Sequence, residues 1–218
     1  MNFFAHYYFH QRPTNSWYNA GLLFPDLLRN FTAKQRLQPS KLLISLNQTP
    51  EDDNLIAGIN QHFMADHLFH NWDWFIKKNK DLAQTIRNSG LGIKRDWFMA
   101  HIMIELAIDH LLVCQNESMV HQLYSDLEAC DTKWKSFFDG QSSGELKSWN
   151  EGMSKFRTSQ YIFSYHDTDN LNYALNRIYQ TTRIGTLNDI QNRFLVVILN
   201  DLIPEIKPIL SKLHKILK

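Results

Sequence analysis

Hydrophobic residues recur with a helical period along most of the chain. Between residues 52 and 76, Leu55, Ile59 and Phe63 follow one another at intervals of four, and a similar pattern covers residues 95–113. Apolar residues at this spacing lie on one side of an α-helix. Further helices are predicted at residues 39–46, 117–137, 144–164, 168–181 and 187–216, and Pro204 and Pro208 are expected to kink or divide the last of them. Because no segment alternates apolar and polar residues as a strand does, we predict an all-α fold.

The composition agrees with a helical chain of one domain. The 218 residues include 8 Gly and 6 Pro, about half the usual share of these turn-forming residues. A domain of ordinary size has about 150 residues. We therefore predict a single helical bundle that spans residues 1–218.

The charge balance and the cysteines bear on partners and location. The chain carries 23 Lys and Arg against 22 Asp and Glu, so no basic surface for nucleic acid is predicted. Cys114 and Cys130 lack the spacing of a thiolate metal motif. No basic stretch precedes the aromatic N-terminal segment, and no apolar run approaches the roughly 20 residues of a membrane span. We predict a soluble cytoplasmic protein that binds neither nucleic acid nor membrane.

Ionisable side chains stand at helical spacing among apolar residues in two segments. They are His62, Asp66 and His70 in the first, and His101, Glu105 and Asp109 in the second, where His110 is adjacent. Side chains four residues apart project from one helix face. Carboxylates among apolar residues need a partner or a metal ion, because an unpaired buried charge is costly. Facing helices with imidazoles and carboxylates can hold one or two divalent cations.

Two candidate ligands precede these segments. They are His6, within an aromatic stretch, and Asp26. Since no thiolate belongs to the set, it suits Mn²⁺, Fe²⁺, Zn²⁺ or Mg²⁺. His110 and His101 are candidates for holding a ligand in place or moving a proton. A non-catalytic helical binding protein with a buried polar network explains the same spacing, and it predicts no stoichiometric metal.

Four sequence blocks resemble the acyl carrier protein phosphodiesterases, also called holo-acyl-carrier-protein hydrolases. Met1–His6 is similar to their M-N-[FY]-L-A-H start, and Ala20–Asp26 to their G-N-[FL]-[LI]-A-D block. Gly58–His70 resembles G-[IV]-x-[LM]-H-R-x-I-D-x-[FL]-T-D, and Glu105–Leu112 resembles D-[MV]-x-x-D-[HY]-[FL]-[LA]. A further segment, Tyr165–Asp169 followed by Leu175 and Arg183, is similar to their C-terminal helix pair. The matches therefore keep the same order as far as about residue 185.

The resemblance implies a fold, a reaction and a ligand set. The fold is all-helical and related to the HD-type metal phosphohydrolases. The reaction releases 4′-phosphopantetheine from holo-acyl carrier protein, a carrier of fatty acid biosynthesis, with Mn²⁺ as the favoured cation. The implied metal ligands are His6, Asp26, His62, Asp66, Glu105 and Asp109.

The chain departs from the family pattern at several positions that bear on the chemistry. The residues Asn60, Phe63, Phe69, His70 and Glu105 stand where the family has His, Arg, Thr, Asp and Asp, respectively. Asn60 can donate a hydrogen bond to a phosphate but cannot act as a base, and His70 offers a neutral ligand in place of a carboxylate. Phe63 removes a positive charge that could bind phosphate. An HD-type metal phosphohydrolase of a nucleotide or other small phosphoester is therefore the alternative expectation.

Overall fold

The computed structural model describes residues 1–32, 49–131, 143–181 and 185–217, and all regular secondary structure within them is helical. The α-helices are α1 (Phe3–His10), α2 (Ser16–Phe31), α3 (Pro50–His70), α4 (Asp73–Asn88), α5 (Asp96–Gln115), α6 (Glu117–Ala129), α7 (Ser143–Ser159), α8 (Thr168–Thr181), α9 (Asp189–Ile206) and α10 (Leu210–Leu217). The all-α prediction is confirmed for these residues. An HD-like arrangement of the helices stays a prediction.

The helices predicted at 117–137 and 144–164 end at Ala129 and Ser159 in the structure, and two others are divided. The helix predicted at 52–76 is interrupted, because α3 ends at His70 and Trp72 takes an extended conformation before α4 begins. The last predicted helix is divided, as expected at Pro208, by a 3₁₀ turn at Lys207–Ile209, whereas Pro204 lies within α9. Proline lacks the backbone N–H that would continue the α-helical hydrogen bonds. The helix predicted at 39–46 lies outside the described residues.

Contacts along the chain group it into two compact units. One unit, called unit A, comprises Met1–Ala5, His67–Gln115 and Phe163–Lys218. The other, unit B, comprises His6–Asp66 and Asn116–Ile162. The expectation from chain length that the protein is a single domain is not tested by this grouping and stays a prediction.

Helix α5 forms the centre of unit A. Helices α4, α8 and α9 pack against it, so it is covered on several sides. Its sequence is apolar around most of the circumference, as is typical of an enclosed helix. This covering places Glu105 and Asp109 in the interior.

Helix α5 corrects the expectation that no apolar segment approaches the length of a membrane span. At 20 residues, α5 is long and apolar enough to cross a membrane by length and composition, and it alone among the described helices is so. In its most apolar window, 72% of the residues are buried inside the protein. A mostly buried helix of this kind is typical of the core of a soluble protein.

In unit B, α2 and α3 touch through their backbones. A Cβ atom at Gly58 would lie 2.1 Å from the Tyr18 carbonyl oxygen, and one at Gly21 would lie 2.3 Å from the Leu55 carbonyl oxygen. Only glycine permits so close an approach. The contact also brings the helix turn after Gly58, which carries His62, to the backbone of Leu22.

Candidate metal centres

Unit B contains a set of metal-ligand side chains formed by His6, His62 and Asp66, which we call the His6 group. The Nε2 of His6 lies 3.1 Å from Oδ1 of Asp66, and the Nε2 of His62 lies 3.6 Å from Oδ2. Neighbouring ligands on one ion with bonds of about 2.1 Å are about 3.0–3.4 Å apart. The spacing of the three side chains therefore suits a single divalent cation.

A backbone carbonyl fixes the orientation of the His62 ring. The Nδ1 of His62 lies 2.8 Å from the Leu22 carbonyl oxygen, and this contact requires Nδ1 to carry the proton and donate it. In the neutral ring, Nε2 then presents a lone pair toward the Asp66 carboxylate. Metal-binding histidines are commonly oriented by such a hydrogen bond at their other nitrogen.

His6 is fully buried. Its Nε2 faces Asp66 Oδ1, and its Nδ1 has no hydrogen-bond partner among the described residues. Its ring stacks on His62 with the centroids 3.8 Å apart. Burial, together with the neighbouring His62 ring, lowers the pKa of His6 to about 3, so the imidazole is neutral at pH 7. Buried polar atoms are nearly always satisfied, and an ion at this place would be a partner for Nε2 of His6.

Asp66 supplies the negative charge of the group and remains partly accessible, with 29% of its side chain exposed. Burial opposes ionisation, yet the His6 and His62 imidazoles hold the pKa of Asp66 below its usual range. At neutral pH the group thus offers the neutral His6 imidazole and the Asp66 carboxylate, with the His62 imidazole beside them. Its exposed edge leaves room for water or a substrate oxygen to reach the same ion.

Unit A contains a second set, formed by His70, His101 and Glu105, which we call the His101 group. The Nε2 atoms of His70 and His101 lie 3.2 and 2.9 Å from the same Glu105 oxygen, Oε1. The Met1 ammonium lies 3.0 Å from that oxygen. Burial disfavours the Glu105 charge, but these cationic and imidazole neighbours hold the pKa of Glu105 well below its usual value.

Asp109 binds the first turn of α1. Its carboxylate accepts hydrogen bonds from the backbone N–H groups of Phe4 (3.2 Å) and Ala5 (2.8 Å). These N–H groups have no partner within the helix, so Asp109 takes the place of a capping residue. Complete burial raises the pKa of Asp109 to about 7, with Glu105 adding to the effect and the two amides opposing it.

The raised pKa of Asp109 predicts a stability that depends on pH. Between pH 4 and 8 the unfolded state releases the Asp109 proton before the folded state does, so the wild type should lose stability as pH rises. Relative to Asp109→Asn, the loss should reach at most about 4 kcal/mol for a shift of this size. Urea unfolding at a series of pH values, in chelator, measures it. Asp53→Asn, which removes an exposed carboxylate, is the control and should follow the wild type; a pH-independent difference between wild type and Asp109→Asn would contradict the expectation.

The other predicted site residues lie outside both groups. Asp26 is half-buried on α2, and Asn60 is exposed on α3. His110 is half-buried on α5, where its Nδ1 donates to the Tyr165 carbonyl oxygen at 2.6 Å. Their predicted parts in metal binding and catalysis, like that of Asp109, stay predictions.

A polar cluster in unit B was not anticipated from the sequence. The buried Asp126 carboxylate accepts hydrogen bonds from Tyr7 Oη (2.7 Å), Ser16 Oγ (2.8 Å) and Asn19 Nδ2 (2.8 Å). These donors are more than 100 residues away along the chain, so no helical spacing reveals them. With its oxygens occupied by neutral donors, Asp126 ties α1 and α2 to α6 rather than offering a ligand.

Comparison with models of protein families, with curated proteins and with solved structures found no match to this chain. The resemblance to the phosphodiesterases therefore rests on its sequence blocks, and the metal chemistry on the two groups of side chains.

Proposed function

We propose that the protein is a metal-dependent phosphoric diester hydrolase that acts on holo-acyl carrier protein. The observation that carries the proposal is the convergence of His6, His62 and Asp66, with two imidazole nitrogens directed at one carboxylate. The choice of substrate is supported by the sequence blocks. Two of those blocks contain the His6 group, since His6 ends the first and the other two residues lie in the third.

The three side chains of the His6 group would hold the cation. Once bound, a divalent ion polarises a phosphoryl oxygen and lowers the pKa of a water ligand. His6 needs to lose no proton to bind at neutral pH, because burial keeps it neutral. The Leu22 carbonyl holds the His62 ring in the orientation that binding requires.

The donor set narrows the choice of cation. Two imidazoles and one carboxylate suit Mn²⁺, Fe²⁺ and Zn²⁺ better than Mg²⁺, which prefers oxygen ligands and water. We propose Mn²⁺, in agreement with the resemblance. Phe63, whose ring lies edge-on to His62, brings no charge to the site, so the cation must balance the phosphodiester charge.

Intact-mass spectrometry of holo-acyl carrier protein, incubated with the chain and Mn²⁺, tests the proposal. The wild type should remove the phosphopantetheine mass. Asp66→Asn preserves the shape of the side chain but removes its charge, and should slow the reaction more than about 100-fold. Asp53→Asn, an exposed carboxylate on the same helix, should react as the wild type does.

An unchanged carrier-protein mass would overturn the substrate assignment. A parallel assay with bis(p-nitrophenyl) phosphate then tests the reaction class: Mn²⁺-dependent hydrolysis lost in Asp66→Asn favours a metal phosphohydrolase of another phosphoester. No hydrolysis of either substrate by the metal-loaded chain would overturn the enzyme proposal and favour a non-catalytic protein with a buried polar network.

A further inference from the structure

We propose that His70, His101 and Glu105 form a second divalent-metal site, which loads without the His6 group. This inference goes beyond the proposed function, because it concerns a site in unit A and does not require phosphodiester hydrolysis. The ligand class is a divalent transition-metal ion such as Mn²⁺, Co²⁺ or Zn²⁺, which two imidazoles and one carboxylate favour over Mg²⁺.

The ligand atoms already have the spacing of a coordination shell. The distances of 3.2 and 2.9 Å from the two Nε2 atoms to Glu105 Oε1 agree with the roughly 3.0–3.4 Å between neighbouring ligands on an ion with bonds of about 2.1 Å. The three ligand atoms lie within 4.8 Å of one another. Binding therefore needs only small side-chain movements.

Two features hold the rings in place before any ion arrives. His101 and Glu105 are four residues apart on the rigid helix α5, so their side chains share a face. The buried Phe75 ring contacts both imidazoles, with centroids 5.4 Å from His70 and 5.1 Å from His101. Contact with the Phe75 ring limits the rotation of both imidazoles, so binding an ion would cost less side-chain conformational entropy.

The charge and exposure of the group suit an exchangeable ion. Glu105 is ionised and almost fully buried, and a buried carboxylate favours a cationic partner. In the metal-free chain the Met1 ammonium lies 3.0 Å from Oε1 of Glu105 and is that partner, so a bound ion should displace it. His70 and His101 are 33% and 25% exposed, which leaves the remaining coordination positions open to water.

Metal stoichiometry of the full chain tests the site without any measurement of activity. The chain is stripped with chelator and titrated with Co²⁺, and the binding is followed by visible absorption and calorimetry. We expect two ions for each wild-type chain, and one for His101→Ala or for His6→Ala, with the affinity at the altered site lowered at least about 100-fold. His67→Ala removes an exposed histidine of α3 outside both groups and should bind two.

A second variant and a folding check keep the test decisive. Glu105→Gln keeps the size of the side chain and a hydrogen-bond acceptor but loses the charge, and should also bind one ion. The helical circular dichroism of each variant must match that of the wild type. A wild-type stoichiometry of two that His101→Ala and Glu105→Gln leave unchanged would overturn the second site.

The outcomes also separate this inference from the proposed function. One ion that is lost in His6→Ala and kept in His101→Ala overturns the second site and leaves the proposed function standing. One ion lost only in His101→Ala and Glu105→Gln supports the second site and removes the His6 group as a metal centre. No binding by the wild type overturns both.

Discussion

Replacing Gly58 with alanine is expected to destabilise the protein by more than about 4 kcal/mol. The new Cβ would lie 2.1 Å from the Tyr18 carbonyl oxygen and 2.9 Å from the Gly21 Cα atom. Both are backbone atoms within a helix and cannot rotate away, so α2 and α3 must separate. Helix propensity alone would favour alanine by about 1 kcal/mol. The steric clash and the helix propensity therefore predict changes of opposite sign in the free energy of unfolding.

Urea unfolding followed by circular dichroism measures this change. Gly152→Ala is the matched comparison, because its Cβ would meet the side chain of Phe31 instead of a backbone. A side chain can adjust its torsion angles, so we expect a smaller loss there. A Gly58→Ala variant as stable as the wild type would show that α2 and α3 do not need this contact.

Asp126→Ala is expected to cost about 3–5 kcal/mol. The truncation leaves the hydroxyl groups of Tyr7 and Ser16 and the amide of Asn19 without the acceptor that they share. Asp126 is only 4% exposed, so water can replace only part of the hydrogen bonding that the carboxylate provides. The removed atoms also leave a cavity between α6 and the first two helices.

Two further variants separate the causes of the Asp126 effect. Asp126→Asn keeps the volume and one acceptor oxygen, and should lose less stability than the alanine variant. Glu128→Ala removes an exposed carboxylate from the same helix and should change stability by no more than about 0.5 kcal/mol. Equal stabilities for Asp126→Ala and Glu128→Ala would contradict the expectation.

The helical class was accessible from the sequence because it depends on a local period. Apolar residues repeat along α3 and α5, and their spacing predicts helices without knowledge of any distant contact. The break between α3 and α4 was missed, since the residues around Trp72 include neither proline nor glycine. That turn allows Phe75 to pack on Phe69, with ring centroids 4.4 Å apart, and such tertiary packing leaves little local signal.

Helical spacing predicts the members of each candidate site that share a helix, whereas His6 is predicted from its aromatic surroundings and from the family resemblance. His62 and Asp66, like His101 and Glu105, are four residues apart, and the structure has helices over both pairs. The partners of Asp109 could not be inferred in this way, because they are backbone amides 104 and 105 residues distant along the chain. Because every residue except proline has a backbone N–H group, no sequence motif indicates which of them Asp109 binds.

The contact between Gly21 and Gly58 has a consequence for how this chain can diverge. A side chain larger than hydrogen at either position would force the two helices apart, and His62 would move away from the Leu22 carbonyl that orients it. Descendants that retain the His6 group should therefore keep both glycines, even where the surrounding apolar residues have been exchanged. Distant relatives can therefore be recognised by two features. One is a glycine in the helix equivalent to α2. The other is a glycine in the next helix, followed by histidine four residues later and aspartate four residues after that.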